Sequence, residues 1–423
     1  MLNLLKQGHQ KGLFLLFFVE MWERFSYYGM RALIVLYMVE KLMYTTQQAG
    51  NIYGLYTGFV YLTPLIGGYI ADRYLGQRRC ITIGAILMII GLFILAFGSK
   101  SLFLVALLLM VIANGFFKSN ISSILGLLYG NDDKKKDSAF TIFYMGINLG
   151  AFFSPLVCGT LAVKYGYEYG FAAAGLGMLL GVLLYKIFEN KLLGNTGLNP
   201  ANIEKENIYE NNQDERQRTQ ALLILMLFTI PFWICFEQAG SSLTLFAEYS
   251  TNRIVFEHEI PTEYFQSLNP LFIIILAPII SNFWTHLRAR AKEPTSVEKF
   301  VFSLFLISFA FLIMTFAGFL SLTNKISFLW LFAGYFIMTI AELCLSPIGL
   351  SLVSKLAPKK FLSLMMGCWF LTSFVGNLLA GIWGGLFEAM PATELFGILA
   401  LLTFISGTIL YFLIPRLNSV ITK

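Results

Sequence analysis

Residues 13–39 read LFLLFFVEMWERFSYYGMRALIVLYMV, and the fold turns on how that stretch is interpreted. At about 1.5 Å of rise per residue it is long enough to cross a hydrocarbon core of ~30 Å. Yet it carries Glu20, Glu23, Arg24 and Arg31. An ionisable side chain at that depth costs several kcal/mol unless it is paired or wetted. With about 100° between successive residues, positions 20, 24, 27 and 31 fall in a stripe roughly 60° wide, flanked by 23 and 28. The opposite face, with Phe18, Met21, Phe25 and Ala32, is apolar. Lipid would not tolerate the ionic stripe, so the helix reads as one of several, with that face toward an interior cavity or a neighbour. No small-residue cleavage site follows the apolar run, so the stretch reads as a retained span.

Working outward, eleven more blocks have spanning length, near 48–71, 80–98, 101–129, 138–162, 169–189, 219–248, 265–287, 299–320, 327–356, 362–387 and 394–416. Only 13% of the 423 residues are charged and 57% are hydrophobic. A soluble domain is about one quarter charged. The expectation is an all-α, multi-pass membrane protein of twelve helices in two six-helix bundles. These are an N-terminal bundle over 1–189, a polar linker over 190–218 and a C-terminal bundle over 219–423. Of 30 basic residues, 22 lie in the N-terminus and every second connection, against 5 in the alternate connections. Basic residues favour the cytoplasmic side, which places both termini and the linker inside. That distribution also excludes nucleic acid as the reason for the net charge of +6. Five scattered cysteines show no CxxC spacing and read as packing residues rather than a metal site.

The remaining three basic residues, Arg24, Arg31 and Lys118, lie inside spans, as do Glu20, Glu23, Glu237 and Glu342. One reading is a buried salt-bridge cluster that locks helices together. The other is a proton relay, because closely paired carboxylates and cations in a low dielectric sense each other's protonation.

Longer motifs carry a resemblance. Glu20-Met-Trp-Glu23-Arg24-Phe-Ser-Tyr27-Tyr28-Gly29 resembles the ExxERFxYYG signature of the proton-dependent oligopeptide transporter family, a branch of the major facilitator superfamily. Gly67-Gly68-Tyr-Ile-Ala71-Asp72-Arg73-Tyr-Leu-Gly76 resembles its GGxxADRxxG loop. Phe143-Tyr144-Met-Gly-Ile-Asn148-Leu-Gly150, Phe232-Trp233-Ile-Cys-Phe-Glu237-Gln238, and Glu342 with Ser346-Pro347-Ile-Gly349 resemble later family patterns, in order along the chain.

The resemblance implies a bacterial-type, proton-coupled symporter, a monomer in the lipid bilayer, that imports di- and tripeptides by alternating access with no cofactor or metal besides protons. Glu20, Glu23 and Glu237 would carry protons, with Arg24 modulating and Lys118 as a switching partner. Arg31 and Lys118 would hold the peptide carboxylate; Glu342, helped by Asn148 and Asn269, would hold its amine. Tyr27, Tyr28, Tyr61, Trp233, Trp369 and Ser373 would line side-chain pockets. Asp72, Arg73 and Pro347 would serve gating or the cytoplasmic loop.

Residue chemistry agrees independently: a zwitterion of arbitrary side chains needs cations at one end, an anion at the other and tolerant walls between. A local turn contact for Asp72–Arg73, a plain helix kink at Pro347, packing roles for both tryptophans and capping of Glu237 by Gln238 and Ser241 stay open alternatives. An enzyme is not expected, since no HExxH and no Ser–His pair lies in any span. A channel fits mixed-sign charges poorly. A carrier of a non-peptide small anion is the runner-up, although a simple anion has no amine for Glu342. His9, His258 and His286 all fall in or near connections, so coupling would fall to carboxylates.

Overall fold

A computed structural model describes residues 9–130, 133–200, 213–357 and 362–421. Its long helices are α1 (Lys11–Leu36), α2 (Thr46–Ile70), α3 (Gln77–Ala96), α4 (Phe103–Tyr129), α5 (Asp133–Tyr165), α6 (Tyr167–Leu193) and α7 (Gln213–Phe236). After the short α8 (Ser242–Tyr249) come α9 (Leu268–Ala289), α10 (Ser296–Leu320), α11 (Leu329–Leu356), α12 (Leu362–Gly385) and α13 (Ala392–Ile421). Among the described residues ten segments are long and apolar enough to cross a membrane, which makes this a multi-pass membrane protein. Two helices of spanning length fall outside the ten for visible reasons: α1 carries the ionic stripe, and α2 is diluted along its length by tyrosine, glycine and threonine. Basic residues Lys6, Lys205, Lys359, Lys360 and Lys423, part of the orientation argument, lie outside the described residues.

Three local features differ from the expectation. The single span expected over 219–248 is interrupted: α7 ends at Phe236, a 3-10 turn runs Glu237–Gly240, and α8 resumes at Ser242. The connections contain short ladders in an otherwise helical chain. Thr251–Asn252 pairs in parallel with Ile326–Ser327, and Ile254–Val255 pairs antiparallel with His258–Glu259. The hairpin between the latter two turns on Phe256 and Glu257, both at positive φ. Finally, the linker is structured at its start.

That start is held by Arg78, which is 2% exposed. Its guanidinium donates to Asn190 Oδ1 at 3.2 Å, Glu189 O at 3.1 Å and Gly194 O at 2.7 Å, so it caps the carbonyl end of α6. Gly76, at φ +78°, lets this corner close, because a β-carbon there would lie 2.4 Å from Leu198 O. Arg78→Ala strands those carbonyls, at a cost of about 2–3 kcal/mol. A melting curve in detergent is expected to fall by several degrees, and an unchanged curve would show that the clamp carries no weight.

The chain divides into two units, Met1–Tyr37 with Phe59–Glu204, and Met38–Gly58 with Lys205–Lys423. In the first, small residues seat α1 against α5 and α6. A β-carbon at Gly150 would lie 2.2 Å from Met21 O, so only glycine permits that approach. Ser154 Oγ donates to Phe25 O at 2.5 Å and Ser26 Oγ to Ala174 O at 2.7 Å. The second unit has a core of Phe232, Phe246, Phe300, Phe311, Phe396 and neighbouring leucines. Cys80, Cys158, Cys235 and Cys344 are buried, unpaired packing residues.

Candidate functional site

The stripe of α1 is buried: Glu20 is 3% exposed, Glu23 0%, Arg24 3% and Arg31 9%. Arg24 grips Glu23 with both arms of its fork, Nε to Oε2 and Nη2 to Oε1 at 2.7 Å. The same Nε lies 3.1 Å from Glu20 Oε1, one turn back. Glu20 Oε2 is buried and has no hydrogen-bond partner among the described residues. One guanidinium thus stands between two carboxylates, and the trio alone carries a net negative charge. Lys118 on α4 acts electrostatically on both carboxylates and balances it. Its ammonium also sits 4.4 Å from the centre of the Tyr61 ring. Arg24 lies 5.3 Å over Tyr27 and Arg31 5.8 Å over Tyr28, so the tyrosines beside the stripe face its cations.

This arrangement is sensitive to one proton. With both carboxylates charged, two anions match two cations. Adding a proton leaves one positive charge in excess, and the cation bound least specifically is set to leave. Arg24 is fixed by its bidentate geometry, whereas Lys118 is a point charge on a flexible stem. The carboxylate oxygen of the set that is buried without a hydrogen-bond partner among the described residues is Glu20 Oε2.

Asn148, also in the first unit, turns its amide onto Tyr144 O of its own helix at 2.9 Å. Asp72 and Arg73 sit on a π turn, Ala71–Leu75, that ends α2. Asp72 accepts from Gln77 at 2.8 Å, and Arg73 donates to the Tyr69 hydroxyl at 2.7 Å.

In the second unit Glu342 Oε2 accepts from Asn269 Nδ2 at 2.9 Å, and the same amide reaches Thr339 Oγ1 at 3.1 Å. Glu342 of α11 and Asn269 of α9, expected together, are brought together. Glu237, 2% exposed, sits on the turn that breaks α7 from α8. Ser241 and Ser242 donate to Gln238 Oε1 at 3.2 and 2.6 Å, so their hydroxyls serve Gln238 rather than the carboxylate. Trp233 and Trp369 belong to the hydrophobic core of this unit, and Ser373 is 3% exposed. Gly349 accommodates the Trp369 ring, which would lie 1.9 Å from a β-carbon there, two residues from Pro347 in the unbroken α11.

Sequence reasoning missed several buried charges. Lys299, counted among solvated connection residues, is 7% exposed; it bonds Glu293 at 2.7 Å and lies 4.6 Å over Trp284. Glu293 also takes Arg288, and those hydrogen bonds hold its carboxyl low, at about 2. Glu263 and Arg253 are buried too. His9 bridges Tyr129 at 2.9 Å and Ser138 at 3.1 Å, joining the start of α1 to the ends of α4 and α5.

Comparison with known proteins points one way. A profile of the POT family matches residues 78–190 and 188–399. The chain is 34% identical to the Di-/tripeptide transporter of Lactococcus lactis subsp. cremoris, over 95% of each chain. It is also 34% identical to the Peptide transporter YePEPT of Yersinia enterocolitica, over 89% of this chain and 88% of that one. Among solved structures, that of a peptide transporter POT in complex with sulfate superposes with a TM-score of 0.92 at 33% identity, over 98% and 96% of the two chains.

Proposed function

The chain belongs to the POT family, and from that premise we propose that it imports di- and tripeptides with protons by alternating access. The relatives are named for peptide transport and are not enzymes. The observation that carries the proton half is the buried Glu20–Arg24–Glu23 set with Lys118 in electrostatic reach. A proton taken on Glu20 Oε2 releases Lys118, which then turns with Arg31 to the peptide carboxylate. The peptide amine goes to Glu342, already oriented by Asn269. The peptide is thus recognised by its ends, and side chains of any kind are tolerated. Glu237, on a helix break where backbone groups are freed, is a second proton-linked acid. The architecture that goes with this reading is the twelve-helix major facilitator fold, α1 and α2 completing the ten apolar spans. Both termini face the cytoplasm, and a monomer in the bacterial inner membrane works with no cofactor beyond the proton.

Uptake of labelled dialanine into liposomes holding the purified protein tests this. Accumulation is expected only under an inward proton gradient, blocked by unlabelled tripeptide but not by free alanine. No uptake by folded, inserted protein would transfer the reading to a carrier of a non-peptide small anion.

A further inference from the structure

Glu263, on the 3-10 turn Thr262–Ser267 just before α9, is 2% exposed and makes no ion pair among the described residues. One of its oxygens takes its own backbone amide, while Oε2 is buried with no partner among the described residues. The cation beside it, Arg253, is committed elsewhere. Nη2 binds Glu248 Oε1 at 2.7 Å and Glu259 Oε1 at 2.9 Å, and Nη1 donates to Ile260 O at 3.0 Å. Its Nε, however, is buried without an acceptor. A stranded donor and a stranded acceptor therefore share one polar cluster of the second unit. The charged groups facing Glu263 are Glu248 from α8, Arg253 from the segment after it, and Glu40 from the π turn that follows α1. Glu259 joins through its ion pair with Arg253.

We propose that Glu263 is a proton-binding site: in this arrangement its carboxyl carries a proton on Oε2, and loss of that proton to water draws Arg253 from Glu259 to Glu263. A buried carboxylate with no counter-charge is strongly disfavoured, and protonation removes the charge. Once ionised, the carboxylate attracts Arg253, whose Nε–H is buried without an acceptor. Among Arg253's bonds the one to Glu259 yields, because that side chain is 66% exposed and an exposed pair is weak. Glu259 is a rung of the hairpin that it forms with Ile254, so the hairpin is freed as Arg253 leaves. The turn bearing Glu263 runs directly into α9, whose second residue is Asn269. The proton therefore controls how firmly Asn269 is presented to Glu342, a consequence that rests on the assignment of Glu342 to the peptide amine.

Infrared difference spectroscopy of the full-length protein in liposomes, titrated with pH, reads the proton directly. A carbonyl band of a protonated carboxyl is expected in the wild type at neutral pH and is expected to be lost in Glu263→Gln. In Arg253→Gln the band should persist to higher pH, because the ionised form has lost its partner. Identical wild-type and Glu263→Gln spectra at every pH would overturn the site. An unshifted titration in Arg253→Gln would overturn the exchange of partners. In uptake, Glu263→Gln is expected to flatten the pH dependence of affinity for free-amine peptides. The spectrum requires no transport, so liposomes that fail to take up dialanine would sink the peptide reading and leave the proton assignment standing.

Discussion

Glu20→Gln combined with Glu23→Gln is expected to abolish accumulation of peptide against its gradient while exchange of peptide for peptide across the membrane persists. Each unit of pH difference stores about 1.4 kcal/mol per proton, equivalent to a tenfold concentration ratio for every proton coupled. The wild type is therefore expected to concentrate dialanine up to about tenfold per pH unit and per coupled proton, and the double variant to stop at equal concentrations. Glutamine keeps the shape of the carboxyl and reproduces the charge of the doubly protonated state, so Lys118 stays available to the peptide. Persisting exchange is then the control that the protein is folded and binding. Glu20→Gln alone should already uncouple, because it leaves Arg24 clamped on Glu23 and removes the one carboxylate oxygen of the set that is buried and unpartnered. Should the double variant still concentrate peptide, the proton route lies elsewhere, and Glu237 becomes the first place to look.

What could be read in advance followed from charge at membrane depth. Glu20, Glu23, Arg24 and Glu342 stand out in the sequence because they lie deep within long apolar spans, far from any connection, and charge there is too costly to be incidental. The same logic fails near span ends. Arg78, Arg253, Glu263 and Lys299 adjoin polar connections, where a charge is ordinarily solvated, and only the way the chain folds back buries them. The break at Glu237 was illegible for another reason. Phe232-Trp-Ile-Cys-Phe236 continues as a helical pattern, and the close approach of Gly240 to Tyr53, whose hydroxyl would lie 1.8 Å from a β-carbon there, is a tertiary contact that the pattern does not reveal. Nor could the sequence separate a packing tryptophan from a pocket wall: Trp233 and Trp369 are apolar in either role, and it is their neighbours that put them in the core.

Glu342→Ala is expected to weaken transport of free-amine dipeptides about ten- to a hundredfold in kcat/KM, with far less effect on the N-acetylated forms. A charge-assisted hydrogen bond to an ammonium is worth roughly 1.5–3 kcal/mol, and about 1.4 kcal/mol is a factor of ten. Acetylation removes the positive charge, so those peptides have little to lose when the carboxylate goes. The geometry sharpens the comparison. Asn269 holds one oxygen of Glu342 while sharing its amide with Thr339, which leaves the carboxylate oriented before the peptide arrives. Asn269→Ala should therefore lower the rate for the same free-amine peptides, but by less than Glu342→Ala, since the charge remains and only its direction is relaxed. Equal loss for free and acetylated peptides in Glu342→Ala would remove this residue from the amine end. The defect would then belong to the α9–α11 contact that Glu342 and Asn269 make, and a matching drop in melting temperature would identify it.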